Sequence, residues 1–248
     1  MRILAARATL LLVTLGVWEV WARRQNPLLF VPPSKIGPAL GRLVRLESYP
    51  TLPAELALTV VEVLVAFGLA LGLGLALGFL LGLPRHVGEI YEPILSALYA
   101  IPSVVWYPSL MLFFGLGPAS KIAFGVLLGF FPVVLAVLAG IRSVDRHLLT
   151  VARALGAGAG TCFVKVMLPA MTGTLLAGLR AGLALSVVGV IVGEVLGARG
   201  GLGYLINHAY GFLRIADYAA LAVLALVLVV LVDGVAAVVE VRARRWAT

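Results

Sequence analysis

The chain has little sulfur and little charge. Cys162 is its only cysteine, which excludes an intrachain disulfide and any cysteine cluster for zinc or iron–sulfur binding. His86, His147 and His208 fall in separate stretches, so no metal site is expected. Charged residues make up 12% of the sequence, against about 25% in soluble domains, which excludes an ordinary soluble fold. A Walker A loop is missing, because the lysines follow Ser34, Ser120 and Val164 and never glycine; the chain is not expected to bind or hydrolyse ATP. Neither a nucleophile–base pair nor a carboxylate dyad is present, and no enzyme activity of its own is expected. No basic patch interleaved with aromatics points to nucleic acid, and no alternating pattern points to a β-barrel.

What is present is apolar. Hydrophobic residues form 62% of the 248, with a mean hydropathy of +1.11, and they fall in runs near the ~20 residues that cross a bilayer as a helix. These runs predict an all-α membrane protein of about six spans, near 8–22, 54–82, 90–115, 119–141, 170–197 and 217–240. The organisation expected is a first span and outer interfacial segment over 1–53, a transmembrane core over 54–240 and a basic tail over 241–248. The net charge of +8 resides in loops and chain ends, where membrane topology and lipid headgroups account for it. Cations divide almost evenly between the two sides, so charge orients the chain only weakly.

The first run follows Arg2 and Arg7 like a signal peptide, but it ends in Trp18-Glu19-Val20-Trp21-Ala22, bulky residues where cleavage needs small ones; an uncleaved span is expected. After it comes a Pro-rich stretch, then Leu40, Leu43, Val44 and Leu46 at helical spacing, which predicts an amphipathic helix at the outer surface. Gly68, Gly72, Gly74, Gly78 and Gly82 mark the second span for close packing, inside the bundle or against a second copy. Pro93, Pro102 and Pro108 predict a bent third span, with Trp106 and Tyr107 beside a solute pathway or in aromatic packing.

Charges inside spans are costly and therefore candidates for function. Glu62 and Arg180 come out at similar depth, at about 1.5 Å per residue, and an interhelical pair between them is expected. Glu194 lies near the outer end of the fifth span, at the pathway or at a plain helix end.

The stretch Thr150–Pro169, TVARALGAGAGTCFVKVMLP, is a polar, glycine-punctuated loop in an apolar chain. LLTVARALG predicts a short helix, Gly156 its sharp exit, and Pro169 the first turn of the next span. Gly156, Gly158 and Gly160 do not form a dinucleotide loop, because no strand precedes them. Such a segment is built to dock in another protein's groove, and Cys162 within it is expected to react freely with thiol reagents until it docks.

This loop resembles the "EAA" coupling loop of ABC importer permeases, with Ala152, Gly156, Val166 and Leu168-Pro169 at the family's spacing and Thr150 and Val151 in place of the leading Glu and Ala. The segments GLALGLGLALGFLLG, EPILSALYAIPSVVWYPSLMLFFGLGPASKI and GLRAGLALSVVGVIVGEVLGARGGLGYLI are similar to permeases for nitrate, sulfonate, taurine and bicarbonate. The resemblance implies a type I ABC importer (MetI-like) permease fold in the inner membrane, with a coupling loop at about 142–169 carrying Thr150, Ala152, Arg153, Gly156, Val166, Leu168 and Pro169. It implies a second copy of the chain, two ATP-binding subunits holding ATP and Mg, and a periplasmic or lipid-anchored solute-binding protein. The implied solute is a small oxoanion, with an aromatic carboxylate or vitamin precursor as the alternative. With Thr150 replacing Glu, contact with the ATPase would fall to Asp145, Arg146 or Arg153. The reading from another class is an ATP-independent secondary transporter or channel, which calls for inverted repeats and a row of relay residues.

Overall fold

The computed structural model describes the backbone of residues 2–247 and the side chains of 6–84 and 86–242. The described residues form helices α1 (Arg2–Arg23), α2 (Pro33–Val44), α3 (Leu52–Gly82), α4 (Arg85–Ala100), α5 (Tyr107–Phe114), α6 (Pro118–Ser143), α7 (Arg146–Ala154), α8 (Ala159–Cys162), α9 (Leu168–Gly197), α10 (Leu202–Gly211) and α11 (Ile215–Ala247). A 3₁₀ turn, Ser103–Trp106, precedes α5, and a π turn, Phe163–Met167, precedes α9. Most of the basic tail expected over 241–248 lies outside the described side chains.

Among the described residues, four helical stretches are long and apolar enough to cross a membrane: Leu52–Gly82, Pro118–Ser143, Ala159–Gly211 and Ile215–Arg242. The pair His86–Ala100 and Ser103–Phe114, bent by 80°, is apolar enough only when its halves are taken together, as a broken span or a re-entrant loop. The sixth expected span, α1, has 22 residues, but Arg7, Glu19 and Arg23 interrupt its apolar run. Leu10, Leu11 and Leu12 of α1 are each more than 60% exposed, as on a helix whose sides meet lipid rather than protein.

The chain divides into two compact units. One comprises the chain up to Thr59 together with Glu194–Leu228, the other Val60–Gly193 and the chain from Val229 on.

In the second unit α6 is the central helix. Added Cβ atoms on Gly74, Gly78 and Gly82 of α3 would stand 2.6 Å from side-chain carbons of Val133, Val137 and Ile141 of α6. The numbers rise together, so the two helices run parallel at glycine-permitted separation. On another side of α6, Gly178, Gly182 and Gly189 of α9 meet Ala136, Val133 and Gly125, numbers that run in opposite directions and mark an antiparallel crossing. Lipid supplies no hydrophobic drive between helices, so this close van der Waals fit is what joins them. Val133, Val134 and Val137 are fully buried there. The second-span glycines thus pack partly within the chain, while Gly68 and Gly72 have nothing within 4 Å.

Of the three prolines expected to bend the third span, Pro102 alone sits at the break. Ile101 before it is extended, at φ −67° and ψ 129°, as steric conflict with a following proline ring demands. Pro93 is accommodated inside α4, and Pro108 falls in the first turn of α5, where its missing donor costs nothing.

In the first unit, α2 begins at Pro33 and buries Ile36, Ala39 and Leu43, spaced i, i+3, i+7. A helix is there, as expected, but Val44 is 80% exposed and Leu46 has left it with φ +59°, so the buried stripe starts earlier than predicted. Glu19 of α1 accepts hydrogen bonds from the backbone N–H (3.0 Å) and hydroxyl (2.7 Å) of Ser34, which fixes the start of α2. Asp217, nearly buried, is paired by Arg42 at 3.1 Å and Arg214 at 2.6 Å. The Arg214 guanidinium also lies 5.0 Å from the centre of the Tyr49 ring. Burial pushes the Tyr49 phenol above its ordinary pKa, and the Arg214 charge opposes that rise.

Candidate functional site

The loop singled out by sequence folds as two short helices around one glycine. Asp145 caps α7, its carboxylate accepting from the His147 N–H at 2.8 Å. At the other end Gly156 takes φ +83°, the left-handed conformation that glycine adopts without strain. The Gly156 N–H donates to the Arg153 carbonyl at 2.9 Å and the Ala157 N–H to the Ala152 carbonyl at 3.0 Å. Both bonds of a Schellman cap are present, and Ala152 and Gly156 are the two motif positions that make them. After α8 the π turn widens the helix ahead of Pro169, the second residue of α9, whose ring conflicts with the carbonyl four residues back. Val166 in that turn and Leu168 at the start of α9 are half-buried.

The surface of α7 has two faces. Leu148 (50% exposed), Val151 (48%) and Leu155 (83%), spaced i, i+3, i+7, form an apolar stripe open to the outside. Arg146, Leu149 and Arg153, with the same spacing, line a cavity of about 480 Å³ against the ends of α3 and α6. Thr150 is exposed, its hydroxyl donating to the Arg146 carbonyl at 3.0 Å. Of the residues expected to stand in for a leading Glu, Asp145 is occupied as the cap, and Arg146 and Arg153 lie on the cavity side. Cys162 is a correction: it is 5% exposed with its sulfur 3.6 Å from the Ala157 carbonyl, so the fold of the loop itself shields it.

The intramembrane charges are arranged differently from expectation. Arg180 donates to both carboxylate oxygens of Asp233, at 2.7 and 2.6 Å, and Glu240 lies 3.5 Å away. Asp233 and Glu240 are seven residues apart and share one face of α11. Both carboxylates found on Arg180 thus come from α11, and depth alone had pointed to Glu62. Glu62 is 2% exposed on α3.

Glu194, 1% exposed, caps a helix. Its carboxylate accepts from the Thr59 hydroxyl and from the Gly203 N–H, each at 2.7 Å. Thr59 in turn accepts from the Leu202 N–H at 2.8 Å, and Glu55 from the Gly201 N–H at 2.6 Å. Three side chains therefore satisfy the amide groups entering α10. Trp106, in the 3₁₀ turn, is 47% exposed. Its neighbour Tyr107 is buried, with its hydroxyl donating to the Gly193 carbonyl at 2.5 Å. Lys121 is 2% exposed and donates to the Gly117 carbonyl at 2.8 Å and to the Leu116 carbonyl.

A family model described as the inner membrane component of binding-protein-dependent transport systems matches residues 68–245, which include the loop, the second half of α3 and every later span. The chain belongs to this family. The permease is 30% identical over 226 residues, 88% of its length and 82% of the relative's, to the taurine transport system permease protein TauC of Escherichia coli K12. It is 33% identical to a putative aliphatic sulfonates transport permease, SsuC, of Bacillus subtilis, over 64% of its own length and 59% of the relative's. With the riboflavin transport system permease protein RibX of Chloroflexus aurantiacus it shares 38% identity over 58% and 54%. Among solved structures, an inward-facing MetNI methionine ABC transporter chain superposes with a TM-score of 0.66 at 22% identity, covering 81% of the permease and 99% of that chain, which establishes the fold.

The protein is accordingly a multi-pass inner-membrane permease subunit of a type I ABC importer, a transport subunit and not an enzyme. The ATP-independent carrier or channel considered from sequence is set aside on the same findings.

Proposed function

We propose that the permease works as a pair of identical copies, each presenting α7 to one of two separate ATPase subunits that hold ATP and Mg. Each chain carries one such helix, and two ATPases need two. The observation that carries this reading is the exposed stripe of Leu148, Val151 and Leu155, terminated at Gly156. An apolar helix face left open on the water side of a membrane protein is a surface for another protein.

ATP-driven approach of the two ATPases draws the paired α7 helices together. The motion reaches the bilayer because helical structure is continuous from Ala159 to Gly197, so the exit of α7 and the core of α9 form one lever. α9 is locked to α6 by backbone-close glycine contacts, and the two move as a block. The pathway opens outward to receive solute from a periplasmic or lipid-anchored binding protein, and opens inward after hydrolysis.

The solute is a small oxoanion of the sulfonate class. The relative matched over 88% of the chain is named for taurine, and another for aliphatic sulfonates. Other relatives are named for riboflavin and formylaminopyrimidine, which makes a vitamin or vitamin precursor the second reading. Purification of the tagged permease in mild detergent, with mass spectrometry of what accompanies it, tests the assembly. An ATPase in equal amount is the expected result, and the ligand of a co-purifying binding protein decides the solute. A permease recovered without any ATPase would contradict the reading.

A further inference from the structure

The cavity behind α7 has an arginine rim and an apolar floor. Arg142, Arg146 and Arg153 line it, with Glu89 the one acid among the lining residues, while Ile141 and Leu149 contribute to the floor. Arg142 is engaged by Glu92. Among the described residues Arg146 and Arg153 make no ion pair, although both are turned to the same side of α7. Gly88 and Glu89 of α4 also stand at this cavity.

The cavity lies where α3 and α6 end, at the level where membrane helices leave the hydrocarbon. Guanidinium groups present paired N–H donors that match phosphate oxygens, and an apolar floor suits the glycerol and first methylenes of a lipid. A zwitterionic headgroup would bring its own ammonium against Arg146 and Arg153, so the rim selects a net negative headgroup.

We propose that this cavity binds the phosphate group of an acidic phospholipid, seating the inner face of α7 on the membrane surface while its outer face remains open. That the lipid belongs to the inner leaflet rests on the assignment of α7 to the ATPase side.

The test uses the permease with whatever partners it retains, delipidated in mild detergent and titrated separately with phosphatidylglycerol, phosphatidylcholine and inorganic phosphate, with binding read by native mass spectrometry on the permease itself. Phosphatidylglycerol is expected to bind at lower concentration than phosphatidylcholine, and inorganic phosphate is not expected to displace it. The Arg146→Gln, Arg153→Gln double variant is expected to lose the preference, and Arg24→Gln, outside the cavity, to keep it. Equal binding of the two lipids to the wild-type chain, or a preference surviving in the double variant, would overturn the proposal. Displacement by inorganic phosphate would replace the lipid with a free anion. Each single variant, Arg146→Gln and Arg153→Gln, provides a weaker perturbation should the double variant not fold; an unchanged preference in both would also overturn it. Lipid preference without a co-purifying ATPase would leave the headgroup site standing and remove the importer assembly, so the two failures are distinguishable.

Discussion

Glu194, near the end of α9, accepts a hydrogen bond at 2.7 Å from the backbone N–H of Gly203, nine residues later, and so fixes how the chain enters α10. Gly201 between them has φ +98°, and a Cβ there would fall 2.1 Å from the Glu194 carboxylate. Gly201→Ala therefore meets both backbone strain and a collision, and should destabilise the protein by about 1–3 kcal/mol. Glu194→Gln should be milder, because the amide oxygen still accepts one bond while its NH₂ meets a donor. Thermal unfolding of the purified permease in detergent checks the order; equal stability of Gly201→Ala and wild type would contradict the capping role.

Arg180 and Asp233 form the ion pair that depth alone had assigned to Arg180 and Glu62. Arg180→Asp and Asp233→Arg should each lower the monodisperse fraction extracted from membranes, and the double exchange should recover much of it. The Glu62→Arg, Arg180→Glu double variant should recover none. Size-exclusion profiles of the four variants decide between the two pairings.

What was legible and what was not divides along sequence distance. The Schellman end at Gly156 and the break at Pro102 are local consequences of residues that restrict φ or ψ; the first stands where the sequence placed it, and the second falls at one of the three prolines that predicted a bend. The Arg180 partner lies 53 residues away on α11. Helix rise gives depth but not which way a side chain faces, so Asp233 and Glu240 went unnoticed within an apparently apolar run. Lys121 shows a similar limit, because a lysine near a helix start reads as solvated until its carbonyl partners are seen. The hydrogen bonds of Glu55 and Thr59 to the start of α10 depend on tertiary placement, and nothing local announces them.

Gly78 and Gly72 look alike in sequence and differ in environment. A Cβ on Gly78 would stand 2.6 Å from Val137, whereas nothing lies within 4 Å of Gly72. Gly78→Ala should cost about 1–3 kcal/mol by overpacking α3 against α6, and Gly72→Ala should leave the unfolding temperature of the isolated chain unchanged. Thermal scans of the two variants side by side measure this; an equal fall for both would show that the α3–α6 seam is looser than the contacts imply.

Thr150 stands exposed on α7, outside the apolar stripe, where the family motif has Glu. Thr150→Glu removes only a bond to the Arg146 carbonyl and should leave folding intact, with solute-stimulated ATPase activity of the assembled importer unchanged or raised. A severe loss of stimulated activity in a stable complex would mean that α7 seats in a different register.

Leu155, at 83% exposure, is the most direct reporter of docking, because Cys162 is shielded by its own loop. In a Leu155→Cys, Cys162→Ser chain, a water-soluble maleimide should label the permease rapidly on its own and slowly when the ATPase is bound. Equal labelling rates with and without a stoichiometric ATPase would contradict the claim that this face of α7 is where the two proteins meet.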